Sequence, residues 1–304
     1  MKIFVTGATG YIGGSVATKL LERGDTVLGL ARSDEAAATL KKRGIEPVAA
    51  DINAYTPLVE VAKRVDAVIN AANADNAFVA HALLDGLKGS GKTLIQTSGS
   101  SVVGTYDNGE ASEDTFDEDT PFTPEPEKAM RVAIDNQVLA AAKDGLRSIV
   151  IRPTLIYGRG IGVPGISVQL PKLIDVAKKH GVPRHVGRGL NIWGHVHIAD
   201  VADLFLVALD KAKPGSLFYA ESGEANFKSV TQSIGRMLGL GDATKDWPIG
   251  EAVEGLGPGA YLSFGSNSRV RGTRARELGW TPKQGTLFDE IGKGVYAEVY
   301  GRRR

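Results

Sequence analysis

The sequence predicts an α/β protein built on a doubly wound parallel sheet, with a smaller C-terminal lobe. Three observations lead there: apolar runs alternate with helical patterns through the first half, a glycine-spaced turn joins the first run to the first helix, and the alternation stops after Pro153. Repeated strand, helix, strand units require right-handed crossovers, which make the sheet parallel and cover both its faces with helices. The elements follow in order. "KIFVTG" is a short buried strand, and "GGSVATKLLERG" an amphipathic helix stopped by glycine. "TVLGLARS", "EPVAADI" and "DAVINAA" repeat the strand pattern, separated by the helical "AATLKKRG" and "LVEVAKRV". "KTLIQTSG" and "RSIVIRP" add two buried strands, with a helix from about Pro124 to Lys143 between them. Beyond Pro153, Gly and Pro become frequent, while "SVQLPKLIDVAKKHG", "IADVADLFLVALDKA" and "SVTQSIGRMLG" read as helices. The expected division is a dinucleotide-type core over residues 1–153 with 195–210 packing back on it, a lobe from 154–194 and 211–291, and a tail over 292–304.

Composition removes several functional classes. A chain of 304 residues that is 42% hydrophobic can bury a full core. The formal net charge of +1 creates no field to gather nucleic acid or anionic lipid, so neither is an expected partner. The absence of cysteine excludes disulfides, thiolate metal sites and cysteine nucleophiles, and suits a reducing compartment. The chain enters a strand at once, and no run reaches the roughly 18 apolar residues of a membrane helix, so a soluble cytoplasmic protein is expected.

The first turn carries Gly7, Gly10 and Gly13 at three-residue spacing between a strand and a helix. Such glycines allow a tight turn, close approach of backbone to a pyrophosphate, and close packing of helix on strand. The helix start then offers free N–H groups and a positive dipole end to phosphate. This is a Rossmann-type dinucleotide cradle. At the end of the second strand, where an acidic residue would hold the ribose 2′-hydroxyl of NAD, the sequence has Ala31, Arg32 and Ser33. A guanidinium beside a hydroxyl suits a 2′-phosphate and predicts NADP; the competing reading has Arg32 stacked on adenine or turned to solvent. Asp51 and Ile52 are placed to meet the adenine.

The glycine pattern, "NAA" after the fourth strand, "TSGSSVVG" after the fifth, "RPTLIYG" after the sixth, "GHVHIADVADLFLVAL" and the late "ARELGWTPK" together resemble the short-chain dehydrogenase/reductase superfamily, in its extended and atypical branch of the epimerase/dehydratase kind. The resemblance runs from Met1 to about residue 291. It implies that Thr9, Tyr11, Ile12, Ala71, Ala72, Thr97, Ser98, Pro153, Thr154 and Leu155 also contact the cofactor. It further implies a hydroxyl after the fifth strand and a Tyr-x-x-x-Lys pair on the following helix. Laid on this chain, the hydroxyl position is Gly99, the tyrosine of the V-Y-G ending is Val103, the tyrosine of the pair is Glu127 and the lysine is Arg131.

Four residues remain as candidates for the chemistry. Arg131 can bind ribose hydroxyls but cannot relay a proton, because a guanidinium keeps its own at ordinary pH. Glu127 becomes a general acid only if burial raises its pKa; the alternative is a surface pair of Glu and Arg four apart on a helix. Tyr106 could supply the missing phenol, and Ser100 a ligand for a substrate hydroxyl, at the sheet edge where ligands bind. Tyr157 is placed near the nicotinamide by the resemblance, and Trp193 and His195 border the pocket. His197, Asp200 and Asp203 have imaginable metal spacing, but no metal is expected. Asp114, Asp117, Glu118 and Asp119 read as a solvated loop, and His81 as packed on an apolar helix face. Arg269, Arg271, Arg274 and Arg276 cluster late in the chain without forming an evident diphosphate pocket. The expected function is an NADP-dependent oxidoreductase acting on a carbonyl or hydroxyl of a small organic molecule. The alternatives are a sensor that binds NADP(H) without turnover and a sugar-nucleotide epimerase or dehydratase. The resemblance implies that a homodimer would pair through helices near Phe78 to Leu87 and Val132 to Ala142; on the second, Arg131, Ile134 and Val138 fall on one side and Val132 and Leu139 on another, compatible with one face on the sheet and one on a partner.

Overall fold

The computed structural model describes residues 1–301; the last three residues of "GRRR", expected as a frayed end, lie outside the described residues. The chain runs β1 (Lys2–Thr6), α1 (Tyr11–Glu22), β2 (Thr26–Ala31), α2 (Asp34–Lys42), β3 (Glu46–Ala49), α3 (Tyr55–Lys63), β4 (Ala67–Asn70), α4 (Ala77–Leu87), β5 (Thr93–Thr97), α5 (Pro126–Ala140) and β6 (Arg147–Pro153). It continues through β7 (Leu155–Tyr157), α6 (Gln169–His180), β8 (Arg184–Val186), β9 (Ile192–His197), α7 (Ile198–Lys211), β10 (Ser216–Ala220), β11 (Gly223–Asn226) and α8 (Phe227–Leu238). β12 (Lys245–Trp247), α9 (Ile249–Leu256), α10 (Thr273–Glu277), α11 (Leu287–Gly292) and α12 (Val295–Tyr300) complete it.

Seven strands form one parallel sheet in the order β10-β6-β5-β4-β1-β2-β3. One apolar core lies between the sheet and α1, α2 and α7, with Val5, Val16, Leu40 and Phe205 among its buried members. A second lies under α3, α4 and α5, with Phe4, Leu58, Leu83 and Val138. Both faces of each central strand are therefore buried, which is why these strands read as unbroken apolar runs rather than as alternation. The chain winds one way from β1 through β2 and β3, and the other way through β4. Ligands of such sheets bind outside the carboxyl ends at that reversal. Here a polar ladder crosses it: Thr6 Oγ1 donates to Asn70 Oδ1 at 2.5 Å, and Asn70 Nδ2 donates to Gln96 Oε1 at 2.8 Å.

The predicted sheet, its winding and the three later helices are present. The domain boundaries differ at two places. Residues 216–220, placed in the lobe by the irregular sequence around them, form the edge strand β10 beside β6. The chain returns to the sheet because "SLFYA" buries Phe218, Tyr219 and Ala220 against it. The expected tail is also structured up to residue 301. α12 buries Val295 and Tyr296, and the Tyr296 phenol donates to Ile166 O and accepts from Gly158 N. The lobe has its own core around Leu173, Trp193, Phe227, Phe264 and Tyr296, with the small sheet β11-β9-β7 as its floor.

One surface expectation changes as well, that for His81, while Val132 and Leu139 are partly buried. Val132 is partly buried against the small cluster of Val102, Val103, Tyr219 and Val270, and Leu139 is partly buried against the α3–α5 core. His81 lies on the outer face of α4 with a 56% exposed side chain, because the buried face of that helix is already filled by Val79, Ala82 and Leu83.

Candidate functional site

The turn after β1 packs as its glycines require. A Cβ on Gly7, whose φ is +70°, would sit 2.6 Å from Ala71 O, and one on Gly13 would sit 2.5 Å from Gly7 O. Only hydrogen fits at either position. Gly10 caps α1 without a side-chain hydrogen bond, and the first turn of α1 carries no acidic residue, so its leading N–H groups are free for an anion. Arg43 fastens the turn from behind, donating to Ala8 O at 2.6 Å, Gly14 O at 2.8 Å and Thr18 Oγ1 at 2.9 Å. No sequence signal marked Arg43: it follows α2 by one residue and meets the turn only through the fold.

A groove of about 600 Å³ runs along this edge, lined by Gly7, Thr9, Gly10, Tyr11, Ile12, Arg32, Asp51, Ile52, Ala71 and Ala72, all expected from the sequence, together with Leu30, Ala36, Asn53 and Val168. Asp51 and Ile52 lie beyond the end of β3 rather than within it. Ser33 is not among the lining residues. Its Oγ accepts from Ala36 N as the cap of α2, so that hydroxyl is partly committed to the helix. The groove's volume, the uncapped helix start and Arg32 at the far end together fit an extended dinucleotide. Gly13 contributes by packing beneath the turn rather than by lining the groove.

A second cleft of about 210 Å³ opens from the same edge and shares Tyr11, Ile12 and Val168 with the groove. Its remaining walls are Ser98, Gly99, Ser100 and Ser101, Pro153, Thr154 and Ile156, with Gln169, Trp193 and Ser263 from the lobe. Among the described residues, no charged side chain lines it. Ser98 donates to Asp135, which is fully buried and 2.9 Å from Arg152 Nε. Burial pushes the Asp135 carboxyl up, against the pull of Arg152 and Ser98. Ser268 Oγ donates to Ser100 O at 3.0 Å and lies 2.8 Å from Ser100 Oγ, so the Ser100 hydroxyl is held at the cleft wall. A larger cleft, about 710 Å³, lies between α6 and α9, away from these strand ends.

Several predicted site residues stand elsewhere. Thr97 Oγ1 is buried without a partner, and Leu155 is packed in the lobe core, so neither lines the groove or the cleft. The Tyr157 phenol is spent on Gly285 O at 2.8 Å, and burial pushes it up to about 12. Trp193 lines the cleft, whereas His195 lies behind it with Nδ1 buried and unpartnered. His197 caps α7 by accepting from Ala199 N, and Asp200 accepts from Lys283 N and Gln284 N, so both have structural duties.

Glu127 is not raised towards neutrality. The Tyr106 hydroxyl donates to it and holds its carboxyl below the usual range, opposite to what a general acid needs. The same bond pushes the Tyr106 phenol up to about 12. Arg131 does not pair with Glu127, four residues away. It reaches across to Asp75, with Nε 2.8 Å from Oδ1 and Nη2 2.5 Å from Oδ2. Asp75 was not foreseen, since nothing in the loop sequence "NAANADNA" connects it with a helix residue 56 positions later. The acidic loop is likewise less solvated than expected: Glu118 accepts from Tyr219 N and Arg274 N, and burial pushes it up. The late arginines are each matched by a carboxylate: Arg269 and Arg271 by Glu224, Arg274 by Asp119, and Arg276 by Glu221.

Comparison with known proteins agrees with this architecture. An uncharacterized protein of Schizosaccharomyces pombe is 32% identical over 97% of this chain and its own full length. A 2-alkyl-3-oxoalkanoate reductase of Stenotrophomonas maltophilia is 28% identical over 75% of this chain and 70% of its own. The crystal structure of the dTDP-glucose 4,6-dehydratase of Bacillus anthracis in complex with NAD superimposes with a TM-score of 0.77 at 20% identity, covering 98% of this chain and 96% of that one. The model of the NAD dependent epimerase/dehydratase family matches residues 3–218, and the chain belongs to that family.

Proposed function

We propose that this protein is an NADP-dependent oxidoreductase acting on the carbonyl or hydroxyl of a small, uncharged organic molecule. The observation that carries the reading is the cleft of hydroxyl and apolar side chains, free of charge among the described residues, that opens off the dinucleotide groove through Tyr11, Ile12 and Val168. A bound nicotinamide dinucleotide supplies or accepts the hydride, and the chain's part is to hold, orient and exclude water. Free N–H groups of α1 suit its pyrophosphate, and Arg32 in the groove suits a 2′-phosphate. The name of the bacterial reductase supports the reaction class.

A sugar nucleotide is a poorer match. Its diphosphate needs uncommitted cations, whereas each late arginine already faces a carboxylate. The test is loss of NADPH absorbance with purified protein and a panel of neutral aldehydes, ketones, quinones and activated alkenes. Turnover with NADPH well above that with NADH supports the reading. Tight NADPH binding with silence across the panel supports a sensor instead.

A further inference from the structure

The resemblance lays the family's serine, tyrosine and lysine positions on Gly99, Glu127 and Arg131, and in the structure the first and last of these stand side by side. Arg131 has a side chain only 16% exposed, and Asp75 grips it with both carboxylate oxygens, on Nε and Nη2. That fork geometry fixes the plane of the guanidinium. It leaves Nη1 as the nitrogen not bound by Asp75. Nη1 stands 3.5 Å from Ser101 Oγ and 3.3 Å from where a Cβ on Gly99 would be. Gly99 and Ser101 both line the cleft. A serine at position 99 would press its Cβ against Nη1 and displace the guanidinium from its present place by a few tenths of an ångström, so glycine there leaves the arginine its room.

We propose that Asp75, Arg131 and Gly99 act as one device in which Asp75 is a positioning residue and Arg131 Nη1, held against Ser101 Oγ from behind the cleft wall, stabilises through the Ser101 hydroxyl the negative charge that develops on the oxygen of a carbonyl substrate in the cleft. This rests on the oxidoreductase reading above. As the carbonyl carbon accepts a hydride and its electron pair from the reduced nicotinamide nucleotide, the C=O π pair moves onto oxygen. Through Ser101, Arg131 stabilises that oxygen without giving up a proton, and the proton that completes the alcohol comes from water. The chain thus supplies electrostatic stabilisation in place of the family's acid catalysis.

The test compares wild type with Asp75→Asn, Arg131→Lys and Gly99→Ser, using the neutral carbonyl compound that wild type reduces fastest. Expected are losses in kcat of about 10–100-fold in each variant, with NADPH affinity by fluorescence titration held within about 3-fold. Asp75→Asn added to Arg131→Lys should cost little more than Arg131→Lys alone, since the two act through one contact. In the protein without cofactor, the Arg131 Nε–H signal in nitrogen-15 NMR spectra should be protected from exchange and lose that protection in Asp75→Asn. Unchanged kcat in Asp75→Asn, unchanged protection, or a drop in NADPH affinity that accounts for the whole loss would each overturn the proposal. An inert wild type that binds NADPH overturns the oxidoreductase reading itself, which separates the two failures.

Discussion

The two ligand-facing edges of the sheet sit side by side and are built by different means. At the end of β1 the work is done by what is missing: Gly7 and Gly13 carry no Cβ, and the first N–H groups of α1 carry no side-chain cap. At the end of β5 the work is done by side chains brought from far apart, Asp75 from the loop after β4, Arg131 from α5, Trp193 and Ser263 from the lobe. Backbone geometry tolerates no substitutes. A side-chain constellation depends on neighbours chosen as a set, and here a Cβ on Gly99 would lie 3.3 Å from Arg131 Nη1. The difference teaches that the cradle is fixed by backbone within one turn, and the cleft beside it by side chains that only the fold brings together.

That contrast predicts the largest loss at the cradle. Gly13→Val places a branched side chain where even a Cβ would lie 2.5 Å from Gly7 O. NADPH binding, followed by fluorescence titration, should weaken by at least about 100-fold as the turn is pushed open. Retained binding would mean that α1 can slide on β1, and the contrast between the two edges would fail. The next effect concerns stability behind the cleft. Burial pushes His195 down to about 4, so the unfolded chain, near the ordinary 6.5, takes up the proton first. The stability from keeping this ring neutral is present above about pH 6.5 and lost as pH falls through about 4, at most about 3 kcal/mol. Urea unfolding at neutral and acid pH should show His195→Gln losing less than wild type on acidification. His185 and His197, also pushed down by burial, leave part of the slope in place. Smaller again is Arg32→Ala, which should weaken NADPH by about 10-fold and leave NADH nearly unchanged. Equal weakening of both would assign Arg32 to adenine rather than to the 2′-phosphate.

What could be read in the sequence follows the same division. The parallel sheet was legible because buried strands are continuous apolar runs, and the cradle because Gly7, Gly10 and Gly13 act locally, within one turn. Arg32 was legible because its position is counted from that turn. Asp75 was not, because its meaning depends on a partner 56 residues away. Glu127 and Arg131 were read as a pair because they stand one helical turn apart, yet each side chain turns to a partner outside the helix, Tyr106 and Asp75. β10 was missed because a five-residue strand flanked by Pro and Gly resembles its irregular surroundings until the sheet edge at β6 is known. α12 was missed because the lobe core that buries Tyr296 is assembled from segments spread over more than a hundred residues.

The smallest expected effect tests whether the side-chain edge still holds an acid. Tyr106 is 41% exposed, with Tyr261 edge-on at 5.8 Å, and its hydroxyl is given to Glu127. An acceptor carboxylate raises the phenol, here to about 12, whereas the family's lysine lowers its tyrosine. A phenol shifted upwards is a weaker proton donor at neutral pH and becomes an anion only when pH rises through the shifted value. Tyr106→Phe should therefore change kcat by less than about 3-fold, and the kcat/KM profile should show no ionisation between about pH 6 and 9 in either protein. A loss of about 100-fold, with a basic limb that disappears in the variant, would return the acid to Tyr106 and leave Arg131 a holder of the cofactor alone.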